Sequence, residues 1–269
     1  MIMRELRGTL TRLGVAAAII LAASAAGAAP VVSVDISAPD SGNQYDTYST
    51  GLIDTTPNPD GSFGLENMTG YGPSFSCNWS LTVNPDPSIT STFTLTNISG
   101  STQNFVMTVT LPIAAIAGST VQGGYFGGNA GDPNPGTTYS DPLVTGNGDV
   151  TLGTFGGNPF YQALVNGVLS HGLGSFPIDP GPGLNANSGG SPGISGNLSQ
   201  QSWGTPIPSA PFGPASGNIQ IKWQFSLTAG DSVSTKGFFQ VEQARVPEPA
   251  TALLVGLGLA GLVAARKRA

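Results

Sequence analysis

The chain contains 269 residues, of which only 9% are charged, and its 15 acidic and nine basic residues give a formal net charge of −6. Between residues 29 and 248 the imbalance grows to 14 acidic against three basic residues, a net charge of about −11. Nucleic-acid binding requires clustered lysine and arginine side chains, so this composition argues against a nucleic-acid partner.

The first 28 residues have the pattern of a secretory signal peptide. Three arginines precede an apolar run, LGVAAAIILAASAAGAAP, that is rich in small residues. Ala26-Gly27-Ala28 fits the A-x-A site of signal peptidase, so we expect the secretion machinery to export the chain and signal peptidase to cut it after Ala28. The alternative is an uncleaved membrane anchor, which the shortness of the apolar run disfavours.

The exported region, residues 29–244, alternates apolar and polar residues in NWSLTV, TFTLTN, NFVMTVTLP and NIQIKWQFSLTAG. Successive side chains of a strand point to opposite faces, so each segment has one core face and one polar face. The expected core residues are Trp79, Leu81, Val83, Phe93, Leu95, Phe105, Met107, Val109, Leu111, Ile219, Ile221, Trp223, Phe225 and Leu227. The pattern predicts an all-β fold, an antiparallel β-sandwich of Ig-like or jelly-roll type.

Turn residues and glycine-rich stretches predict how the strands are connected. We expect one meander over residues 79–113 and a late hairpin over residues 219–243, with TNISGSTQ and TAGDSVS as turns between paired strands. Gly and Pro are so dense in residues 121–148 and 172–217 that these segments are predicted to be long loops. A short helix is considered for residues 161–169.

The single cysteine, Cys77, excludes an intramolecular disulfide bond, although an exported protein meets an oxidising environment. It lies in FSCNWSLTV, beside a predicted core strand, and free cysteines are often buried. We therefore expect a buried thiol. Pairing with a second chain is the alternative.

Residues suited to catalysis are scarce. His171 is the only histidine, and GGSPG fits the letters of the G-x-S-x-G motif around Ser191. Pro192 has no N–H group for an oxyanion, however, and His171 precedes the serine, whereas the fold that uses this motif places its histidine last. We therefore predict no catalytic residue and no enzyme activity.

The stretch IDTTPNPDGSFGLEN brings carboxylates together and raises the question of calcium. Asp54, Asp60 and Glu66 could supply oxygen ligands. Thr56 and Asn67 stand where an EF-hand loop needs its first Asp and last Glu, so a β-turn at NPDG is the simpler interpretation. One histidine and one cysteine are too few for a usual zinc site. We expect no metal and no cofactor.

Aromatic residues in glycine-rich or polar surroundings could instead bind sugar, because the C–H faces of sugar rings stack on aromatic rings. The alternative is ordinary packing of loops over the sandwich. The residues concerned are Tyr45, Tyr48, Tyr71, Tyr125, Phe126 and Tyr161.

The chain ends in RVPEPATALLVGLGLAGLVAARKRA, residues 245–269. Residues 251–265 are uncharged and predict a transmembrane helix of about 22 Å, shorter than a hydrocarbon core of about 30 Å. Arg266, Lys267 and Arg268 form a basic tail that belongs on the cytoplasmic side of the membrane. Such a marginal anchor suits temporary retention. An ordinary tail anchor is the alternative.

The combination of Val246-Pro247-Glu248-Pro249, an apolar stretch and a basic tail resembles the PEP-CTERM sorting signal. The resemblance is limited to this segment and the paired signal peptide. It implies an exosortase-type processing enzyme that recognises the Pro-Glu-Pro motif, transit through the inner membrane, and delivery to the cell surface or extracellular matrix. Proteins of this family are associated with exopolysaccharide and biofilm.

These features together predict an exported, non-enzymatic surface or matrix protein with exopolysaccharide as a partner. A carbohydrate-binding module is the first alternative. A secreted polysaccharide hydrolase using a pair of carboxylates is the second, although no spacing in the sequence identifies such a pair.

Overall fold

The computed structural model of the chain describes residues 32–39, 41–42, 46–50, 57–132, 152–153, 155–174 and 194–244. These residues form strands β1 to β14, numbered in chain order, in two antiparallel sheets of seven strands each. None of them belongs to a helix long and apolar enough to cross a membrane. The predicted signal peptide (residues 1–28) and transmembrane helix (residues 251–265) lie outside the described residues.

The two sheets draw their strands from the whole length of the described chain. Sheet A has the order β10-β9-β13-β6-β1-β2, with β8 also paired to β13, and sheet B has the order β11-β7-β14-β5-β4-β3, with β12 also paired to β7. Sheet A comprises β1 (Ser33–Ser37), β2 (Thr47–Thr50), β6 (Gln103–Ile116), β8 (Leu152–Gly153), β9 (Tyr161–Val165), β10 (Val168–Leu173) and β13 (Ala215–Leu227). Sheet B comprises β3 (Phe63–Gly72), β4 (Phe75–Asn84), β5 (Ser88–Asn97), β7 (Thr120–Asp132), β11 (Ile194–Trp203), β12 (Ala210–Phe212) and β14 (Ser232–Gln243).

The core lies between the sheets and contains every side chain that the alternating pattern predicted. Each of the fourteen expected core residues is at most 3% exposed. Phe93 of sheet B contacts Trp223 of sheet A edge to face, with ring centroids 5.1 Å apart, and lies parallel to Phe225 at 6.2 Å. Buried aromatic pairs of this kind stabilise a fold beyond the area they bury. The predicted β-sandwich is confirmed.

Two connections predicted as hairpin turns instead cross from one sheet to the other. β5 of sheet B continues into β6 of sheet A, and β13 of sheet A continues into β14 of sheet B. The meander predicted for residues 79–113 and the hairpin predicted for residues 219–243 are therefore wrong, although β4 and β5 do pair. Alternation marks which face of a strand is buried, but it does not show whether the next strand joins the same sheet.

The side chain of Asn97 connects these two crossings through hydrogen bonds. It is fully buried, and its side-chain nitrogen lies 2.9 Å from the carbonyl oxygens of Ser101 and Leu227 and 3.0 Å from that of Thr228. Its side-chain oxygen accepts hydrogen bonds from the amide and hydroxyl of Ser99. One side chain thus forms hydrogen bonds with main-chain oxygens at both corners.

The glycine-rich segments predicted as long loops contain strands. β7 occupies the start of residues 121–148, and β11, β12 and the start of β13 lie within residues 172–217. Residues 172–173 end β10, and residues 133–148 and 175–193 lie outside the described residues. Glycine is required in part of β7, because a Cβ atom on Gly124 would lie 2.5 Å from the carbonyl oxygen of Phe238. Here glycine permits close packing of strands rather than a turn.

The short helix considered for residues 161–169 is also wrong. β9 and β10 form a hairpin with the two-residue turn Asn166-Gly167, whose φ angles are 55° and 74°. Two central residues with positive φ match the twist of a β-hairpin, and Asn-Gly is the pair that adopts them most readily.

Candidate functional site

The segment with the predicted sorting residues follows directly on the last strand. β14 is a central strand of sheet B, and the amide of Ala244 donates a 3.0 Å hydrogen bond to the carbonyl oxygen of Ser119 just beyond it. The sorting motif Val246, Pro247, Glu248 and Pro249, the basic tail Arg266, Lys267 and Arg268, and the cleavage-site residues Ala26 and Ala28 lie outside the described residues.

Cys77 and His171, the one cysteine and the one histidine of the chain, both pack against other parts of the sandwich. The thiol of Cys77 is 1% exposed, as predicted, and burial raises its pKa to about 12. The imidazole of His171 stacks on the indole of Trp203, with ring centroids 4.3 Å apart, and burial lowers its pKa. The neighbouring hydroxyl of Ser170 donates to Gln122 at 2.6 Å instead. Ser191 lies outside the described residues.

Around Asp60 the chain forms the predicted β-turn. The amide of Gly61, with φ of 81°, donates to the carbonyl oxygen of Asn58 at 2.9 Å. The Asp60 carboxylate accepts hydrogen bonds from the hydroxyl of Ser62 at 2.7 Å and from its amide at 3.0 Å, and these bonds lower the Asp60 pKa. Asp54 lies outside the described residues, within which no three His, Cys, Asp or Glu side chains gather as metal ligands.

The aromatic residues considered for sugar binding have different positions. Phe126 and Tyr161 are completely buried in the core, so a surface role for them is wrong. Tyr48 is partly buried and packs against the core. Tyr71 is 66% exposed, and Tyr125 lies half-buried beside Phe238 on the outer face of sheet B. Tyr45 lies outside the described residues.

A groove of about 580 Å³ crosses the outer face of sheet B, and sequence reasoning did not find it. It passes over strands β11, β7, β14, β5, β4 and β3. Six strands are separated by five spacings of about 4.8 Å, so the groove is about 24 Å long in the direction across the strands. The side chains that line it include Asn67, Asn78, Ser80, Thr92, Thr94, Tyr125, Asn129, Gln200, Ser234 and Lys236.

Both edge strands of sheet B carry a β-bulge at this groove. In β3, Glu66 and Asn67 lie opposite Ser80 alone, and Asn67 adopts a positive φ of 55°. In β11, Ser199 and Gln200 lie opposite Gly127 alone. A bulge bends its strand and increases the local twist, so both edges of sheet B curve relative to its centre. The groove lies between the two bulges.

The floor of the groove is formed by side chains at the polar positions of the alternating strands. Lys236 of β14 pairs with Thr92 of β5, and the hydroxyls of Thr94 and Ser234 lie 2.7 Å apart. Gly127 adds no side chain to the floor, and its lack of a Cβ lets Gln200 of the bulge lie close to β7, since a Cβ there would lie 3.3 Å from Gln200. In the sequence, the Ser and Thr residues that alternate with apolar residues in NWSLTV and TFTLTN indicate a polar outer face on these strands. Only the strand order shows that they lie side by side.

The comparisons with known proteins concern the segment after β14. Residues 245–268 match the PEP-CTERM protein-sorting motif. No curated protein matches the chain. The PEP-CTERM match confirms the resemblance inferred from the sequence. It implies processing by an exosortase-type enzyme and export to the cell envelope or surface.

Proposed function

We propose that this protein is an exported, non-enzymatic component of the cell surface or extracellular matrix that acts in exopolysaccharide or biofilm structure. The observation that carries the proposal is the PEP-CTERM match at residues 245–268. In this proposal the signal peptide is removed after Ala28, the C-terminal helix holds the chain in the inner membrane during transit, and processing near Pro247-Glu248-Pro249 releases the β-sandwich.

The chemistry of the described residues supports a structural rather than a catalytic role. A thiol whose pKa is about 12 is almost entirely protonated at neutral pH and is a poor nucleophile. The imidazole of His171 lies against an indole ring, and the nearby serine hydroxyl bonds to an amide. A general base must reach the proton that it removes, and nothing in this arrangement provides such a pair.

The test compares the mature protein in its native host with two matched variants. Glu248→Ala removes the acidic residue of the sorting motif. Glu242→Ala removes an acidic residue near the end of β14, where its carboxylate accepts a hydrogen bond from Gln240. The measurements are intact mass and the fraction, inner membrane or surface and medium, in which the protein is found.

We expect the wild-type protein and Glu242→Ala to lack the first 28 residues and the segment after the Pro-Glu-Pro motif, and to be found outside the inner membrane. Glu248→Ala should keep Arg266, Lys267 and Arg268 and remain in the inner membrane. A wild-type protein that keeps this basic tail in the inner membrane would overturn the proposal. Release of reducing sugar from host exopolysaccharide by the purified protein would show hydrolase activity and contradict the non-enzymatic role.

A further inference from the structure

The groove on the outer face of sheet B differs in charge from the rest of the exported region. Residues 29–248 contain 14 acidic and three basic residues, yet the residues that line the groove include no carboxylate and one ammonium group, that of Lys236. A smaller depression beside the groove shares Lys236 and Asn67 with it and contains Glu66. Among the described residues that line these two depressions, the one carboxylate therefore lies at a margin of the groove, and an anion in the groove meets the ammonium group of Lys236.

The polar groups in the groove are available to a ligand. Within the described residues, the side chains of Asn78, Thr92, Asn129 and Gln200 make no hydrogen bond, and all four are exposed. Amides and hydroxyls both donate and accept hydrogen bonds, which suits the hydroxyl groups of a sugar chain. Because these side chains stand on strands of a sheet with a buried core, the backbone positions that carry them are fixed before any ligand arrives.

An aromatic surface lies at the same face. The ring of Tyr125 lines the groove and stacks on Phe238, its partner across the strands, with centroids 5.5 Å apart and planes at 24°. A ring held in this way offers a fixed apolar surface with a polar hydroxyl at its edge. A sugar ring has a C–H face and hydroxyls at its rim, so it matches such a surface.

We propose that this groove binds a strand of acidic polysaccharide, which lies across sheet B with a sugar carboxylate against the ammonium group of Lys236 and a sugar ring against Tyr125. The path of about 24 Å across six strands is long enough for several sugar rings. This inference rests on the proposed function, for which it names the site and the class of polysaccharide.

The structure supplies matched controls on the opposite face of the sandwich. In sheet B, Lys236 of β14 pairs with Thr92 of β5, and in sheet A, Lys222 of β13 pairs with Thr108 of β6. The same substitutions can therefore be made in the groove and outside it. Lys236→Gln and Thr92→Glu test the groove, and Lys222→Gln and Thr108→Glu control for changes in total charge.

The experiment measures binding of two hexasaccharides to the full-length protein in mild detergent by calorimetry: oligogalacturonate, which is acidic, and maltohexaose, which is neutral. We expect the wild-type protein to prefer oligogalacturonate, because only the acidic sugar has a carboxylate that pairs with the ammonium group of Lys236. Lys236→Gln should weaken this binding about two- to fivefold, as for the loss of one exposed ion pair. Thr92→Glu should weaken it about tenfold or more, because it places a like charge beside the ligand. Both sheet A variants should bind as the wild-type protein does.

Equal binding of the two hexasaccharides, or equal losses in the sheet A variants, would overturn the proposal. So would binding of neither sugar together with a concentration-dependent dimer that Thr92→Glu abolishes, which would make the groove an interface between two copies of this chain. These failures differ from a failure of the proposed function. A chain that is processed and exported but binds no sugar contradicts only the groove proposal, whereas a chain retained in the inner membrane contradicts the proposed function.

Discussion

The hydroxyl of Tyr161 donates a 2.7 Å hydrogen bond to the main-chain oxygen of Phe238, and this bond joins the two sheets through the core. Tyr161 belongs to β9 of sheet A and is completely buried, whereas Phe238 belongs to β14 of sheet B. The rings of Tyr161 and Trp223 lie so close to β14 that the residue beside them must lack a side chain. Gly237 is that residue, since a Cβ there would lie 2.6 Å from Trp223 and 3.1 Å from the ring of Tyr161.

Loss of this hydroxyl should destabilise the sandwich. In Tyr161→Phe the ring remains in the core, but the carbonyl oxygen of Phe238 loses a buried donor, so we expect the free energy of unfolding to fall by about 1–2 kcal/mol. The control is Tyr71→Phe, which removes a hydroxyl from a side chain that is 66% exposed and should change little. Urea unfolding followed by tryptophan fluorescence measures both. Equal stability of the two variants would mean that the hydrogen bond contributes nothing.

The close packing of β7 predicts a second effect. A Cβ on Gly124 would lie 2.5 Å from the carbonyl oxygen of Phe238 and 3.0 Å from the hydroxyl of Tyr161. Gly124→Ala should therefore lower the free energy of unfolding by about 1–3 kcal/mol, since backbone must move to admit the methyl group. Gly213→Ala is the matched control, because nothing lies within 4 Å of a Cβ at that position. A Gly124→Ala protein as stable as Gly213→Ala would contradict the packing described for β7.

The buried amide of Asn97 predicts a larger loss. In Asn97→Ala the carbonyl oxygens of Ser101, Leu227 and Thr228 would lose their side-chain donor, which we expect to lower the free energy of unfolding by roughly 2–4 kcal/mol. Asn78→Ala, made at an exposed residue of β4, should be close to neutral. Thermal unfolding followed by circular dichroism distinguishes them. Equal unfolding temperatures of the two variants would mean that the hydrogen bonds of Asn97 do not stabilise the two corners.

The sequence predicted the faces of the strands more reliably than their partners. NWSLTV and NIQIKWQFSLTAG fix which side chains are buried, because side-chain direction alternates along any strand. The crossing at Asn97 was not predicted, because the segment Asn-Ile-Ser-Gly is compatible with a hairpin turn and with a corner between two sheets. The strand at Gly124 was missed because glycine carries no side chain to show alternation.

The groove could not be predicted for a related reason. Its residues come from six strands whose order in sheet B, β11-β7-β14-β5-β4-β3, departs from their order in the chain. Lys236 and Thr92 become neighbours only through pairing across 144 positions of sequence, which local patterns do not record. The PEP-CTERM segment was recognised because its signal is contiguous, from residue 245 to residue 268.

The buried thiol of Cys77 predicts a loss of stability at alkaline pH. Its pKa rises from 9.0 to about 12 in the folded protein because burial disfavours the thiolate. Between these two values the unfolded chain has released the thiol proton and the folded chain has kept it. The folded state then binds more protons than the unfolded state. The free energy of unfolding therefore keeps its full value below pH 9 and falls above it, by about 1.4 kcal/mol for each pH unit up to about pH 12.

Cys77→Ala isolates this contribution. The variant should start less stable than the wild-type protein, because a smaller side chain leaves a cavity in the core. Above pH 9, however, its stability should decline less steeply, so that the difference between the two proteins shrinks as the pH rises. Tyr161, whose pKa burial also raises, remains in both proteins and cancels from the comparison. Urea unfolding at pH 8, 9, 10 and 11 gives the difference directly, and a constant difference would mean that the thiol of Cys77 ionises in the folded protein as readily as in the unfolded chain.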